Sequence, residues 1–130
     1  MIKLKIIVSA GGTGGHIYPA LAIIKKFREK EKNLDVLYIG THDRMEKDIV
    51  PKMGIKYEAI EIYGFSKTKI IRDFKNLFLI RKAIKKCKNI MEEFKPDVVI
   101  GVGGYVTYPV IRAAHSLSIK TFIHEQNSIA

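Results

Sequence analysis

The sequence predicts an α/β domain, a Rossmann-like parallel sheet with helices on both faces. Three observations carry this expectation. Short apolar runs alternate along the chain with longer amphipathic stretches, as strands and crossover helices do. The runs are nearly continuous rather than alternating, which suits strands covered on both sides. Glycines gather just past the ends of the runs, where a sheet of this kind places its ligands.

The strand patterns fall at Lys3–Ser9, Leu34–Ile39, Tyr57–Ile60, Asp97–Ile100 and Ile119–Ile123. Helical patterns lie between them at about Ile17–Glu31, near Arg44–Lys52, at about Ile71–Phe94 and near Tyr108–Ser116. Polar or glycine-rich segments follow four of the runs: Gly11–Gly15, Gly40, Gly101 with Gly103 and Gly104, and His124–Asn127. In a parallel sheet all four share one rim, which is the expected functional edge. No helical pattern follows Ile123 to cover the last strand. Residues 1–130 therefore read as one domain, the front part of a larger enzyme.

At 130 residues the chain is long enough to bury a core. Its 23 Lys and Arg against 13 Asp and Glu give a formal charge of +10, which admits nucleic acid, an anionic membrane surface or phosphorylated small molecules as partners. Cys87 stands alone, which excludes a disulfide framework and a multi-cysteine metal site. The four histidines form no H-x-x-x-H pair, so no metal site and no cofactor are expected. Met1–Lys5 starts a strand pattern and lacks the features of a signal peptide, and no run reaches the length needed to span a bilayer.

Gly11-Gly12-Thr13-Gly14-Gly15-His16 leads from a strand straight into a helix. Glycines let backbone N–H groups approach a ligand, and the helix start adds a positive dipole end, so the segment suits a phosphate or pyrophosphate. Its spacing differs from the dinucleotide fingerprint G-x-G-x-x-G. The alternative is a plain tight turn. His16 sits where positive charge is disfavoured, so it serves either as a neutral general base or as a residue that fills the loop. Tyr105 follows a strand as a ligand contact or a core-edge tyrosine, and His124-Glu125-Gln126-Asn127 follows another as acid–base machinery or a structural hydrogen-bond network.

The long helix carries a core stripe of Leu77, Ile80, Ile84, Cys87, Met91 and Phe94 at three- and four-residue steps. Ile71, Phe74 and Phe78 point away from it, among Lys75, Arg81, Lys82 and Lys85. From Lys67 to Lys88 nine basic residues face the single acidic Asp73. Apolar wedges flanked by lysines suit an anionic lipid surface, with Ile70, Ile71, Phe74, Lys75, Phe78 and Lys82 as the patch, or else packing against another part of the protein. The aromatics form no stacking platform, so nucleic acid is not expected as a partner.

These motifs together resemble the N-terminal half of the MurG family of peptidoglycan glycosyltransferases. The marks are Gly11–Ala22, Gly40-Thr41 with Asp43–Glu46, Val50-Pro51-Lys52 with Gly54-Ile55, Gly103-Gly104-Tyr105-Val106 and His124–Asn127. The resemblance implies a GT-B enzyme. It would transfer N-acetylglucosamine from UDP-N-acetylglucosamine to an undecaprenyl-pyrophosphoryl-linked N-acetylmuramyl-pentapeptide, with inversion and without a metal. It implies that Thr13, Gly14 and Gly15 contact the UDP-sugar and that His16 is the base for the acceptor hydroxyl. Tyr105, Glu125 and Gln126 would line the cleft, with Asn127 at the donor sugar. It further implies peripheral attachment to the anionic inner surface of the bacterial cell membrane, facing the cytoplasm. The C-terminal UDP-sugar-binding domain of the family is absent from these residues, so little activity is expected of them alone. Tyr108 departs from the family, which has a small residue before that proline. Two other readings are a membrane-anchoring subunit of a split UDP-sugar glycosyltransferase and a non-enzymatic domain that binds anionic ligands.

Overall fold

In the computed structural model, residues 3–11, 17–42, 44–61, 74–104 and 106–124 are described, with 44–45 and 74–77 traced by backbone alone. Five strands alternate with four helices: β1 (Leu4–Ser9), α1 (Ile17–Lys30), β2 (Leu34–Gly40), α2 (Arg44–Lys52), β3 (Lys56–Ala59), α3 (Phe74–Phe94), β4 (Val98–Gly101), α4 (Thr107–Ser116) and β5 (Lys120–Ile123). The strands form one sheet in the order β3-β2-β1-β4-β5, and every neighbouring pair is parallel.

This order puts β1 at the centre and reverses the winding direction between β1 and β4, the switch point at which doubly wound sheets bind ligands. The apolar runs are continuous because alternate residues feed two cores. Ile7, Leu37, Ile39 and Val99 face α3 and α4, where Ala83, Cys87, Met91, Val110 and Ala114 meet them. Ile6, Val8, Val36, Tyr38 and Ile100 face the opposite layer, with Ile17, Ala20, Leu21 and Ile24 of α1 and Val50 of α2. The expectation of helices on both faces is met.

Local chemistry sets the helix limits. Pro19 and Pro109 each occupy the third position of their helix, where a missing N–H removes no intrahelical bond. Helix α2 ends at Lys52, and the Met53 and Gly54 amides return to the Val50 and Pro51 carbonyls at 3.1 and 3.0 Å. The guanidinium of Arg28 then donates to the Met53 and Gly54 carbonyls, both at 3.1 Å, which ties α1 to the end of α2. In α3 the stripe is buried at Cys87 and Met91 and half-buried at Ile80, Ile84 and Phe94. Ala83, absent from the expected stripe, is buried as well, and the side chain of Leu77 lies outside the described residues.

Candidate functional site

The carboxyl ends of β1 and β4 meet at the switch point. The Gly11 amide donates to the Gly103 carbonyl at 3.3 Å, and the Val102 amide donates to the Ser9 carbonyl at 2.8 Å. Gly11 and Gly104 have φ of +135° and +90°, outside the range that side chains readily adopt. A Cβ on Gly104 would run into the Gly11 carbonyl oxygen, so these two loops approach as closely as backbones can. Thr107, at the start of α4, closes the second loop. Its hydroxyl donates to the Gly103 carbonyl at 3.0 Å and lies 3.3 Å from the Gly103 nitrogen.

A buried carboxylate supports the first loop from below. Glu46 in the first turn of α2 is 1% exposed, although surface charge is the usual state of such a residue. Its Oε2 accepts the Thr41 amide at 2.9 Å, and its carboxylate fills the space that a side chain on Gly11 or Gly40 would need. The Tyr57 hydroxyl donates to the Thr41 carbonyl and stands 3.1 Å from Glu46 Oε2. Tyr38 stacks on Tyr57 with ring centroids 5.6 Å apart and donates its hydroxyl to the Ala10 carbonyl at 3.3 Å. Burial first, and the Glu46 charge second, push the Tyr38 phenol well above its ordinary pKa, so it stays a donor. Tyr38 of β2 and Glu46 of α2 thereby meet the backbone at Ala10 and Gly11, with Tyr57 of β3 stacked beside Tyr38.

Ser9 lies beside this assembly at the end of β1. Its hydroxyl is fully buried and has no hydrogen-bond partner among the described residues. At the end of β5 the His124 amide donates to the Gly101 carbonyl at 2.8 Å, which brings His124 to the same rim with its side chain exposed. Tyr108 is 51% exposed, so the residue that departs from the family pattern is largely turned to solvent.

Most of the expected site residues lie outside the described residues: Thr13, Gly14, Gly15, His16, Tyr105, Glu125, Gln126 and Asn127. The structure does place their flanks. Gly11 and Ile17 bracket the first loop, Gly104 and Val106 bracket Tyr105, and His124 leads into the last segment. Of the expected membrane patch, Ile70 and Ile71 lie outside the described residues, as do the side chains of Phe74 and Lys75. Phe78 is 68% exposed on α3. Lys82 lines a shallow cavity of about 430 Å³ with Lys85, Lys86, His42, Glu61 and Asn89. Among the described residues, no helix is long and apolar enough to cross a membrane.

Glu46, Tyr38 and Tyr57 are not among the site residues expected from the sequence. A signal was available for Glu46: it follows Gly40-Thr41 at the start of a helix, close enough to reach back to the strand end.

A profile match to the glycosyltransferase family 28 N-terminal domain covers residues 6–130. The chain belongs to that family. Within it, the transferase of Halalkalibacterium halodurans named UDP-N-acetylglucosamine--N-acetylmuramyl-(pentapeptide) pyrophosphoryl-undecaprenol N-acetylglucosamine transferase is 51% identical over 126 residues, 97% of this chain and 35% of the relative. The enzyme of the same name from Bacillus licheniformis is 50% identical over 97% of this chain and 34% of its own length. The crystal structure of Acinetobacter baumannii MurG superimposes with a TM-score of 0.81 at 35% identity, covering 96% of this chain and 36% of that one. The resemblance read from the motifs is therefore upheld, and the Rossmann-like fold of a GT-B N-terminal domain with it. The chain spans about a third of the length of the curated relatives it matches.

Proposed function

We propose that this family 28 domain is the acceptor-side half of an inverting glycosyltransferase. The enzyme moves N-acetylglucosamine from UDP-N-acetylglucosamine to a pyrophosphoryl-undecaprenol-linked N-acetylmuramyl-pentapeptide. The observation that carries the reading is the match, at about half identity across nearly the whole chain, to transferases whose names state that reaction. The architecture supports it, because two glycine-bearing strand ends converge at the switch point, where doubly wound sheets bind their ligands.

In this reading His16, the residue before Ile17 in the sequence, takes the proton from the acceptor hydroxyl as that oxygen attacks the anomeric carbon and UDP departs. Thr13, Gly14 and Gly15 hold phosphate oxygens, Tyr105, Glu125 and Gln126 line the cleft, and Asn127 contacts the donor sugar. The activated donor already carries a good leaving group, so no pair of catalytic carboxylates is needed. Donor binding and full turnover call on a further GT-B domain beyond these 130 residues. The patch around Phe78 and Lys82 rests on the anionic cytoplasmic face of the cell membrane, where the lipid-linked acceptor resides.

The test is a chimera. The matched 126-residue segment of the Halalkalibacterium halodurans enzyme is replaced by this chain. Transfer of labelled N-acetylglucosamine to the lipid-linked acceptor is then measured. The chimera is expected to be active, and His16→Ala to lower its kcat by about 100-fold or more. An inactive but folded chimera, or full activity in the His16 variant, contradicts the proposal.

A further inference from the structure

We infer that Glu46 is a positioning residue for the acceptor site: its buried carboxylate fixes the Gly11 backbone from which the loop to His16 departs. The inference rests on the function proposed above and adds a residue that touches neither substrate.

Three observations carry it. First, Glu46 is 1% exposed, and such burial of a carboxylate persists only with partners for its oxygens. The Thr41 amide donates to its Oε2 at 2.9 Å, and the Tyr57 hydroxyl, which donates to the Thr41 carbonyl, stands 3.1 Å from the same oxygen. Second, both Glu46 oxygens lie where a Gly11 side chain would be, and one lies where a Gly40 side chain would be. The contact thus needs glycine on two loops and a carboxyl group on a helix. Third, the other hydrogen bonds at the same backbone point among the described residues are long: the Gly11 amide bond to Gly103 is 3.3 Å, as is the Tyr38 bond to Ala10. A brace that fills the space below Gly11 therefore decides where the loop leaves the sheet. Misplacement by about 1 Å of a group that orients a substrate is enough to cost a large factor in rate.

Glutamine keeps the length of the side chain and an accepting oxygen, and alanine keeps neither, so glutamine should substitute where alanine cannot. Amide hydrogen exchange is measured on the 130-residue chain with Glu46→Ala and Glu46→Gln. Gly11 is the reporter, since its amide bonds to Gly103 and not to Glu46. Exchange at Gly11 is expected to quicken about tenfold in Glu46→Ala, while Ile7 in central β1 keeps its wild-type rate. Glu46→Gln is expected to stay near wild type. Should Glu46→Ala fail to fold, Tyr57→Phe takes its place, removing the hydroxyl that links the Thr41 carbonyl and the Glu46 carboxylate while keeping the ring stack; Gly11 is then expected to exchange about threefold faster.

In the chimera, Glu46→Ala is expected to raise the KM for the acceptor and for UDP-N-acetylglucosamine about tenfold, because the segment it braces carries Thr13, Gly14 and Gly15 as well as His16, with Glu46→Gln restoring both. A purely structural role predicts instead less active enzyme at unchanged KM, and Gly11 and Ile7 exchanging faster together. Either result overturns the inference, as does unchanged Gly11 exchange. An inactive parent chimera counts against the proposed function, and the exchange measurement then decides the role of Glu46 separately.

Discussion

Gly104 lies so close to the carbonyl of Gly11 that a single added carbon on it would overlap that oxygen. The strand ends flanking the switch point are therefore in backbone contact, and no rotamer change can relieve a substitution there. With φ at +90°, Gly104→Ala adds conformational strain to the overlap. Its unfolding free energy should fall by about 3 kcal/mol or more. Gly54 gives the control: its φ is +73°, but nothing lies within 4 Å of an added Cβ. Gly54→Ala should cost only about 1 kcal/mol. Urea unfolding of the two variants checks the contrast, and equal losses would refute it.

Ser9 offers the opposite case. Its hydroxyl is buried at the end of β1 with no partner among the described residues, while its carbonyl accepts the Val102 amide. Ser9→Ala removes the unsatisfied group and keeps the backbone bond. It should stabilise the chain by about 1 kcal/mol in the same urea assay. A loss of stability would mean that the hydroxyl is used.

Alkali should weaken the fold through Cys87. Burial pushes its thiol up to about 12 from an ordinary 9.0, with Lys86 opposing the shift. The unfolded chain loses this proton first, so between these values the folded state holds more protons and stability falls as pH rises. The contribution is complete below about pH 9 and declines by roughly 1.4 kcal/mol per pH unit above it. Cys87→Ala should flatten the pH dependence of unfolding by about that slope. An unchanged slope would show that the thiol ionises in the folded protein.

The strands were readable because burial on both faces turns each into a nearly unbroken apolar run, as in Ile6-Ile7-Val8. Helix α2 was readable at Arg44–Lys52 despite Pro51, since a proline near the end of a helix displaces little. Glu46 was harder to read: its place after Gly40-Thr41 at a helix start was the one hint, and a glutamate on a short charged helix otherwise looks like any solvated residue. Only the third dimension shows Gly11, Gly40 and Tyr57 closing over it. The Tyr38–Tyr57 stack was hidden for a related reason: it joins β2 to β3 across the sheet, and register between strands is not written in either strand alone. Ala83 escaped the expected stripe of α3 because a small side chain contributes little to an apolar pattern, yet close helix packing favours it.

Phe78 tests the membrane surface. It is 68% exposed on α3, so Phe78→Ser should leave the unfolding transition almost unchanged. Binding to phosphatidylglycerol vesicles should weaken by about fivefold, with little binding of either protein to phosphatidylcholine vesicles. Equal binding by both proteins would assign Phe78 to packing against another part of the protein.

The central claim is that the rim joining β1, β4 and β5 receives the pyrophosphate-linked acceptor. Its most direct test is an NMR titration of the chain with a short-prenyl analogue of that acceptor. Amide shifts are expected at Ala10, Gly11, Gly103, Gly104 and His124. The opposite edge, at Asn33, Lys95, Asp97 and Ser118, should stay still. Shifts confined to that opposite edge, or none at saturating analogue, would contradict it.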